Sequence, residues 1–252
     1  MYNDLFSIGP FTVHGYGLMI AIGVLSAVLM TEYNAKRKGI YSEKIMDMAI
    51  VAVVGGFVFA KLLYLVTILP DIIKNPSILA NVLDGWVLYG GILGGIFSAW
   101  RYCRKHDMPF LKLADCAIPG VALAQGFGRI GCFLAGCCYG VHYEGFPHII
   151  FEHSSYAPNG VALFPSQLLS SLLNFIHFVI LMIVFKKSKK DGTVILTYLM
   201  CYCVGRFAVE FIRGDLERGA VGILSTSQFI SLLVFVFTAG YIVYRKSKEK
   251  KA

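Results

Sequence analysis

Long apolar stretches separated by short basic clusters constrain this chain more than any other feature. A helix needs about 20 apolar residues to cross about 30 Å of hydrocarbon, and most of the stretches come near that length. Hydrophobic residues fill 57% of the 252 positions and charged residues 15%, which excludes an ordinary soluble domain. The sequence predicts an all-α membrane protein, a bundle of seven transmembrane helices. The predicted spans are residues 11–33, 45–69, 86–100, 113–134, 166–185, 193–212 and 228–244.

The third span is the shortest, and it either begins before Trp86 or is tilted or partly re-entrant. Basic residues fall in alternate connections, at 34–44, 101–112 and 186–192, and in the C-terminal tail. The positive-inside rule then places the N-terminus outside and the C-terminus in the cytoplasm. The net charge of +8 therefore reflects orientation in a membrane and not nucleic-acid binding.

We expect residues 1–252 to form a single polytopic membrane domain, because neither internal repeats nor low-complexity tracts divide the chain. The first span lacks the pattern of a removable signal peptide, so the helices themselves are expected to retain the protein in the membrane. The longest outer connection, 135–165, is rich in His, Gly, Pro and Tyr and could cover a site at the outer face.

Charged residues inside the spans indicate an anion-binding site. Arg129 lies in the glycine-rich stretch 126–140, where an unpaired cation would be costly. Arg206 and Glu210 are four residues apart and share one helical face, which Tyr202 and Arg213 extend by a turn each. Taken alone, that face is equally explained by an internal ion pair with Arg213 snorkelling to the interface. Two internal arginines against one glutamate nevertheless leave a positive surplus, which a phospholipid phosphate would neutralise.

Further polar groups gather at the predicted outer helix ends. They are His14 and Tyr16, Tyr89, Gln167 and Gln228, and each alone is more often an interfacial aromatic or a helix-start signal. Together they lie at the depth of an outer-leaflet headgroup. Lys61 is a further internal cation, explained either by snorkelling or by a headgroup contact.

Three of the seven cysteines, Cys132, Cys137 and Cys138, are expected to converge with His142 at the outer end of the fourth span. Packing of small residues, a redox or acceptor role, and binding of a soft metal are the open alternatives. The spacing fits no common zinc pattern, so we predict neither a metal nor a cofactor.

Several motifs, in order and spacing, resemble the bacterial prolipoprotein diacylglyceryl transferases over about residues 10–240. The motifs are Tyr16-Gly-Leu-Met, Tyr89-Gly-Gly, Gly128-Arg129-Ile-Gly, Pro165-Ser166-Gln167-Leu168, Tyr202 with Arg206 and Glu210, and Gln228 with Ser231. The resemblance implies transfer of the diacylglyceryl group of phosphatidylglycerol to the lipobox cysteine of a prolipoprotein signal peptide in the bacterial cytoplasmic membrane. Glycerol phosphate would be released.

The resemblance also assigns roles to residues. Arg129, Arg206 and Glu210 are the implied catalytic residues, with Arg129 holding the lipid phosphate. The implied substrate-binding residues are Arg129, Tyr16, His14, Tyr89, Gln167, Tyr202 and Gly140.

The chain departs from the family pattern at four positions. Cys132, Ala135 and Cys137 replace two asparagines and a glutamate of the signature, and Tyr89 replaces a histidine that has been considered a base. The base is therefore open among Glu210, His14, a tyrosine relay and electrostatic activation by the arginines. A related lipid transferase with a different acceptor, and a phospholipid transporter or flippase, are the alternative functions.

Overall fold

The computed structural model describes residues 4–8, 11–40, 43–75, 77, 85–215 and 219–249. Helices dominate this part of the chain. They are α1 (Gly15–Arg37), α2 (Lys44–Lys74), α3 (Leu88–Lys105), α4 (Phe110–Ala135), α5 (Ser166–Lys187), α6 (Thr193–Glu210) and α7 (Thr226–Glu249). Antiparallel two-stranded hairpins join β1 (Asp4–Ile8) to β2 (Phe11–His14), β3 (Ile149–Ile150) to β4 (Ala162–Leu163), and β5 (Ala220–Val221) to β6 (Leu224–Ser225).

Six of the described helices are long and apolar enough to cross a membrane, which agrees with an all-α membrane protein. α3 differs in composition and not in length: its 18 residues include Arg101, Arg104 and Lys105, whereas α6, also of 18 residues, is apolar enough to be counted. The seventh crossing and the orientation of the termini therefore stay predictions. Most of the connection before α3 and the last basic residues of the tail, 250 and 251, lie outside the described residues.

The first predicted span is wrong at its start, because residues 11–14 form a strand. They pair antiparallel with residues 4–8, and the helix begins at Gly15. The described chain contains two compact units, a small unit of residues 32–113 and a large unit of residues 1–31 and 114–252. The single membrane domain remains a prediction.

Glycines bring α2 and α3 together in the small unit. A Cβ placed at Gly94 would collide with the Phe59 side chain, and one at Gly56 would lie 3.2 Å from the Gly91 carbonyl oxygen. Small residues four apart allow this close backbone approach between helices in lipid. At the end of this pair, Lys61 Nζ donates to the Gly85 carbonyl over 2.9 Å and lies 4.5 Å from the Trp86 ring centroid. The ammonium thus has contacts within the protein.

Replacing Gly94 with Val is expected to destabilise the small unit by about 1–3 kcal/mol, because the added carbons must force α2 and α3 apart. Thermal unfolding in detergent micelles measures the change. Gly240→Val is the matched control, since a Cβ at Gly240 in α7 meets no atom within 4 Å. Equal losses in the two variants would contradict close packing at Gly94.

In the large unit, the helices that carry the polar residues are positioned by close packing and by a buried acidic residue. A Cβ at Gly23 would lie 3.1 Å from the Ala124 carbonyl oxygen, so α1 and α4 touch through their backbones. The Asp115 carboxylate accepts hydrogen bonds from the amides of Gly192 (2.7 Å) and Ile195 (3.0 Å) at the start of α6. A negative charge there satisfies free amides and complements the helix dipole.

Residues 136–165 fold into a small lobe with its own core. Phe151, Ala157 and Leu163 are buried in it, and β3 pairs with β4 beside this core. The partly buried residues packed against this core are Phe133, Tyr139, Ile149 and Val161. Since Phe133 belongs to the last turns of α4, the lobe is packed onto the helix that carries Arg129.

Candidate active site

Arg129 lies in the last two turns of α4, where small residues let α5 approach. The Ser171 hydroxyl donates to the Gly126 carbonyl over 2.9 Å, and a Cβ at Gly126 would lie 2.5 Å from the Phe175 ring. The Arg129 side chain lines a cavity and forms no hydrogen bond or ion pair with another described residue. Among the charged residues of the predicted spans, Arg129 is therefore the one that lacks a hydrogen-bond or ion-pair partner within the described protein.

Arg206 and Glu210 form the ion pair that their spacing predicts. Arg206 Nη1 lies 2.7 Å from Glu210 Oε2, and the two side chains are only 13% and 9% exposed. Hydroxyls from the start of α7 complete the arrangement: Arg206 Nη2 donates to Ser227 Oγ over 2.8 Å, and Ser225 Oγ donates to Glu210 Oε1 over 2.8 Å. The pair is therefore fixed in orientation as well as neutralised.

Ser225 and Gln228 cap α7 reciprocally. The Gln228 amide donates to Ser225 Oγ (3.2 Å), and the Ser225 amide donates to Gln228 Oε1 (3.1 Å), which is a capping box. Gln228 is buried in this role. The Ser-x-x-Gln pattern is the sequence signal that would have identified Ser225.

A cavity of about 460 Å³ joins the two arginines. Arg129 and Arg206 both line it, and they repel one another electrostatically. The rest of the wall is mainly apolar, with a few polar groups from α5 and α6. The apolar lining residues include Leu173, Ile176, Ile180, Met200, Val204, Val209 and Phe235, and the polar ones include Ser170, Asn174, His177 and Tyr202. The arrangement suits a ligand with an anionic head and an apolar body.

Aromatic side chains stack beside this cavity. Tyr202 stacks on Tyr198 (ring centroids 5.5 Å apart), and Tyr198 stacks on His177 (5.1 Å). Gln125 Nε2 donates to the Tyr198 hydroxyl over 2.7 Å. Tyr198 was not among the predicted site residues, although it lies four residues before Tyr202 and so continues the helical face that carries Arg206 and Glu210.

The prediction that Arg213 extends this helical face is wrong, because α6 ends at Glu210. Arg213 is buried and binds Asp215 through two hydrogen bonds, from Nε (2.9 Å) and Nη2 (2.8 Å). Its backbone bridges to Gly140. A Cβ at Gly140 would collide with the Phe164 carbonyl oxygen and lie 3.0 Å from the Ile212 carbonyl oxygen, so this glycine serves a close crossing of chain segments.

The expected convergence of Cys132, Cys137 and Cys138 is observed, with their sulfurs all within 4.8 Å of one another. A Schellman turn ends α4: Gly136 has φ of 75°, and the Cys137 amide donates to the Cys132 carbonyl over 3.1 Å. Cys138 also adopts a positive φ, 60°, which turns the chain again. Hydrogen bonds from Cys132 and Cys137 hold the pKa of the Cys138 thiol well below its usual range. His142 is not part of the group: its Nε2 lies 3.8 Å from Glu144 Oε1 and the side chain is exposed.

Gln167 and Ser166 hold this turn from the start of α5. Gln167, only 1% exposed, donates from Nε2 to the Cys137 carbonyl over 2.9 Å, and Ser166 Oγ donates to the Cys138 carbonyl over 2.9 Å. Gln167 therefore positions the backbone of the cysteine turn.

Replacing Gln167 with Met should cost about 1–3 kcal/mol of stability, because a side chain of similar size would leave the buried Cys137 carbonyl without its donor. Gln167→Glu should cost at least as much, since it places an acceptor against an acceptor. Thermal unfolding in detergent measures both variants, and a Met variant as stable as the wild type would show that the hydrogen bond does not fix the turn.

The remaining predicted residues lie in different places. Tyr16 is in the first turn of α1, and a Cβ at Gly131 in α4 would lie 3.2 Å from its ring. Tyr16 also interacts electrostatically with Arg129 and with the three cysteines. His14 is exposed, with Nδ1 2.6 Å from Asp4 Oδ1. Tyr89 begins α3 in the small unit and is half-exposed.

Comparison with known proteins agrees with this site. A sequence model of the prolipoprotein diacylglyceryl transferase family matches residues 3–244. A phosphatidylglycerol--prolipoprotein diacylglyceryl transferase of Clostridium tetani is 44% identical over 247 residues, covering 98% of each chain. A second, from Clostridium perfringens, is 40% identical over 94% of this chain and 92% of its own. One from Dehalococcoides mccartyi is 32% identical over 98% and 95%. The chain therefore belongs to the prolipoprotein diacylglyceryl transferase family.

Proposed function

We propose that this protein transfers the diacylglyceryl group of phosphatidylglycerol to the lipobox cysteine thiol of prolipoproteins, the first step of lipoprotein maturation. The observation that carries the proposal is the cavity lined by two arginines, of which only Arg206 has an acid partner among the described residues. A lipid phosphate supplies the missing anion. The sequence relatives, which bear the name of this activity, support the same assignment.

Arg129 is the proposed phosphate ligand. Its planar guanidinium matches two phosphate oxygens at once, and the apolar walls strengthen that contact because they keep water away. The phosphate also relieves the repulsion between Arg129 and Arg206. Glu210 orients Arg206, which offers its remaining N–H groups to the same anion.

The reaction is attack of the acceptor sulfur on the glyceryl carbon. A carbon–sulfur bond forms, the carbon–oxygen bond to the phosphate breaks, and glycerol phosphate leaves. Negative charge grows on the departing phosphate oxygen, beside which the proposed clamp holds two guanidinium groups. Stabilising charge that appears only as the bond breaks lowers the barrier and not merely the substrate affinity.

The other predicted substrate-binding residues have proposed roles of different kinds. Tyr202 lines the cavity, and Tyr16 lies at the start of α1 near the cysteine turn. Gln167 and Gly140 act through the backbone they position. His14 and Tyr89 are proposed as substrate-binding residues on the motif match alone.

We further propose seven spans in the bacterial cytoplasmic membrane, with the N-terminus outside and the C-terminus in the cytoplasm. This orientation rests on the basic connections. It opens the Arg129 end of α4 toward the outer leaflet, where a prolipoprotein signal peptide would present its lipobox cysteine.

The test uses purified protein in detergent micelles with phosphatidylglycerol and a lipobox peptide. Mass spectrometry is expected to find the peptide with one diacylglyceryl group in thioether linkage. A peptide with serine in place of its cysteine, and phosphatidylcholine in place of phosphatidylglycerol, are the controls. Headgroup-dependent lipid movement across vesicles without thioether product would favour a transporter instead.

A further inference from the structure

The cluster of Cys132, Cys137 and Cys138 is a preformed three-sulfur site that the lipid clamp does not use. The sulfurs lie within 4.8 Å of one another, and each residue is only partly exposed. Two fixed turns, at Gly136 and at Cys138, bring the three sulfurs together. Hydrogen bonds from Gln167 and Ser166 hold the backbone of the turn, so the three sulfurs are positioned before any ligand binds.

Two cations act electrostatically on the cluster. Arg129 interacts electrostatically with Cys132 and Cys138, and Arg213 interacts with Cys138. Three thiolates suit a thiophilic cation, and a zinc ion with three protein ligands keeps a fourth position for substrate. Three cysteine ligands would leave one position of such a metal open.

A metal bound there would meet one requirement of the proposed reaction, a deprotonated acceptor thiol. An ordinary thiol has a pKa of about 8.5, so an acceptor cysteine is mostly protonated at neutral pH. Glu210 is occupied by Arg206 and Ser225. Coordination to a metal cation deprotonates a thiol outright.

We propose that Cys132, Cys137 and Cys138 bind a zinc ion whose fourth position takes the acceptor thiol as a thiolate, beside the lipid clamp. This rests on the proposed function, and it replaces the expectation that the site holds no metal. On binding, the acceptor thiol gives its proton to water and its sulfur binds zinc. The sulfur then forms its bond to the glyceryl carbon, the carbon–oxygen bond breaks, and the phosphate leaves with the electron pair and is protonated by water. The metal does not change its oxidation state.

Metal binding itself is measured first. The protein is freed of metal and titrated with Co²⁺, whose bonds to thiolates absorb strongly in the near ultraviolet, and with Zn²⁺ followed by elemental analysis. We expect one equivalent per chain. Cys132→Ser, Cys137→Ser and Cys138→Ser should each weaken binding by more than about 100-fold, because even outer partners of a metal ligand contribute about 10–100-fold. Cys103→Ala, a buried cysteine of the small unit, is the control and should bind as the wild type does.

The open position is measured next. A lipobox peptide added to the Co²⁺ protein without phosphatidylglycerol should add a thiolate band, and the serine peptide should not. Absence of stoichiometric binding, or equal binding by all variants, would overturn the proposal. A spectrum that does not respond to the peptide would overturn the acceptor position. Circular dichroism checks folding. If a variant fails to fold, metal-free wild-type protein is compared with metal-loaded wild-type protein instead.

The two proposals can fail separately. Thioether formation by wild-type protein stripped of metal, at the rate of the loaded protein, would reject the metal site and leave the transferase intact. A peptide-responsive Co²⁺ site in a protein that forms no thioether with phosphatidylglycerol would reject the proposed function instead.

Discussion

Replacing Arg129 with Ala is expected to lower kcat/KM for thioether formation by about 10²–10³ or more, the usual cost of removing one group that stabilises charge in a transition state. Its guanidinium lines the cavity without a described hydrogen-bond or ion-pair partner, whereas Arg206, the other arginine of the cavity, is already engaged by Glu210 and Ser227. Arg129→Lys should recover only part of the activity, because an ammonium group does not bind two phosphate oxygens in the bidentate geometry of a guanidinium. Initial rates at several phosphatidylglycerol concentrations measure both variants.

The control for Arg129 is Arg104→Ala, in which an arginine of α3 that lies over the Trp100 ring is lost. It should change neither the rate nor the yield of protein in the membrane. An Arg129→Ala enzyme that is folded, membrane-inserted and fully active would refute the phosphate clamp.

The second large effect is expected at the Arg206–Glu210 pair. Removing either side chain leaves a buried charge alone, which costs about 3–5 kcal/mol, whereas removing both costs less than the sum. Thermal unfolding of Arg206→Ala, Glu210→Ala and the double variant measures this coupling. Thioether formation should be lost in Arg206→Ala and should not return in the double variant.

Added phosphatidylglycerol should affect the stability of the Glu210→Ala and Arg206→Ala variants differently. In Glu210→Ala the lipid phosphate can replace the lost carboxylate beside Arg206, so added lipid should restore part of the stability. In Arg206→Ala the lipid brings a second negative charge toward Glu210 and should restore none. Equal responses to lipid, or strictly additive losses, would show that Arg206 does not face the headgroup.

The sequence predicted most of the helices and the Arg206–Glu210 pair, because apolar length and a four-residue spacing are local properties. It also singled out Arg129, which lines the cavity; its role as the phosphate ligand stays a prediction. Arg213 was misplaced because the helical face was extended past Glu210, where α6 ends.

Contacts that join distant parts of the chain were not predictable in the same way. The hydrogen bond from Gln167 to Cys137 spans 30 residues, and it depends on how the 136–165 lobe returns to α5. The geometry of the cysteine cluster depends on two left-handed residues. Gly136 signals the first, but Cys138 carries no residue-type signal for the second.

The two hydroxyls at the start of α7 link that helix to the charged side chains of α6. Ser227 accepts from Arg206, and Ser225 donates to Glu210. Loss of either hydroxyl would therefore free one side chain of the ion pair without changing its charge, which separates the orientation of Arg206 at the cavity from its neutralisation.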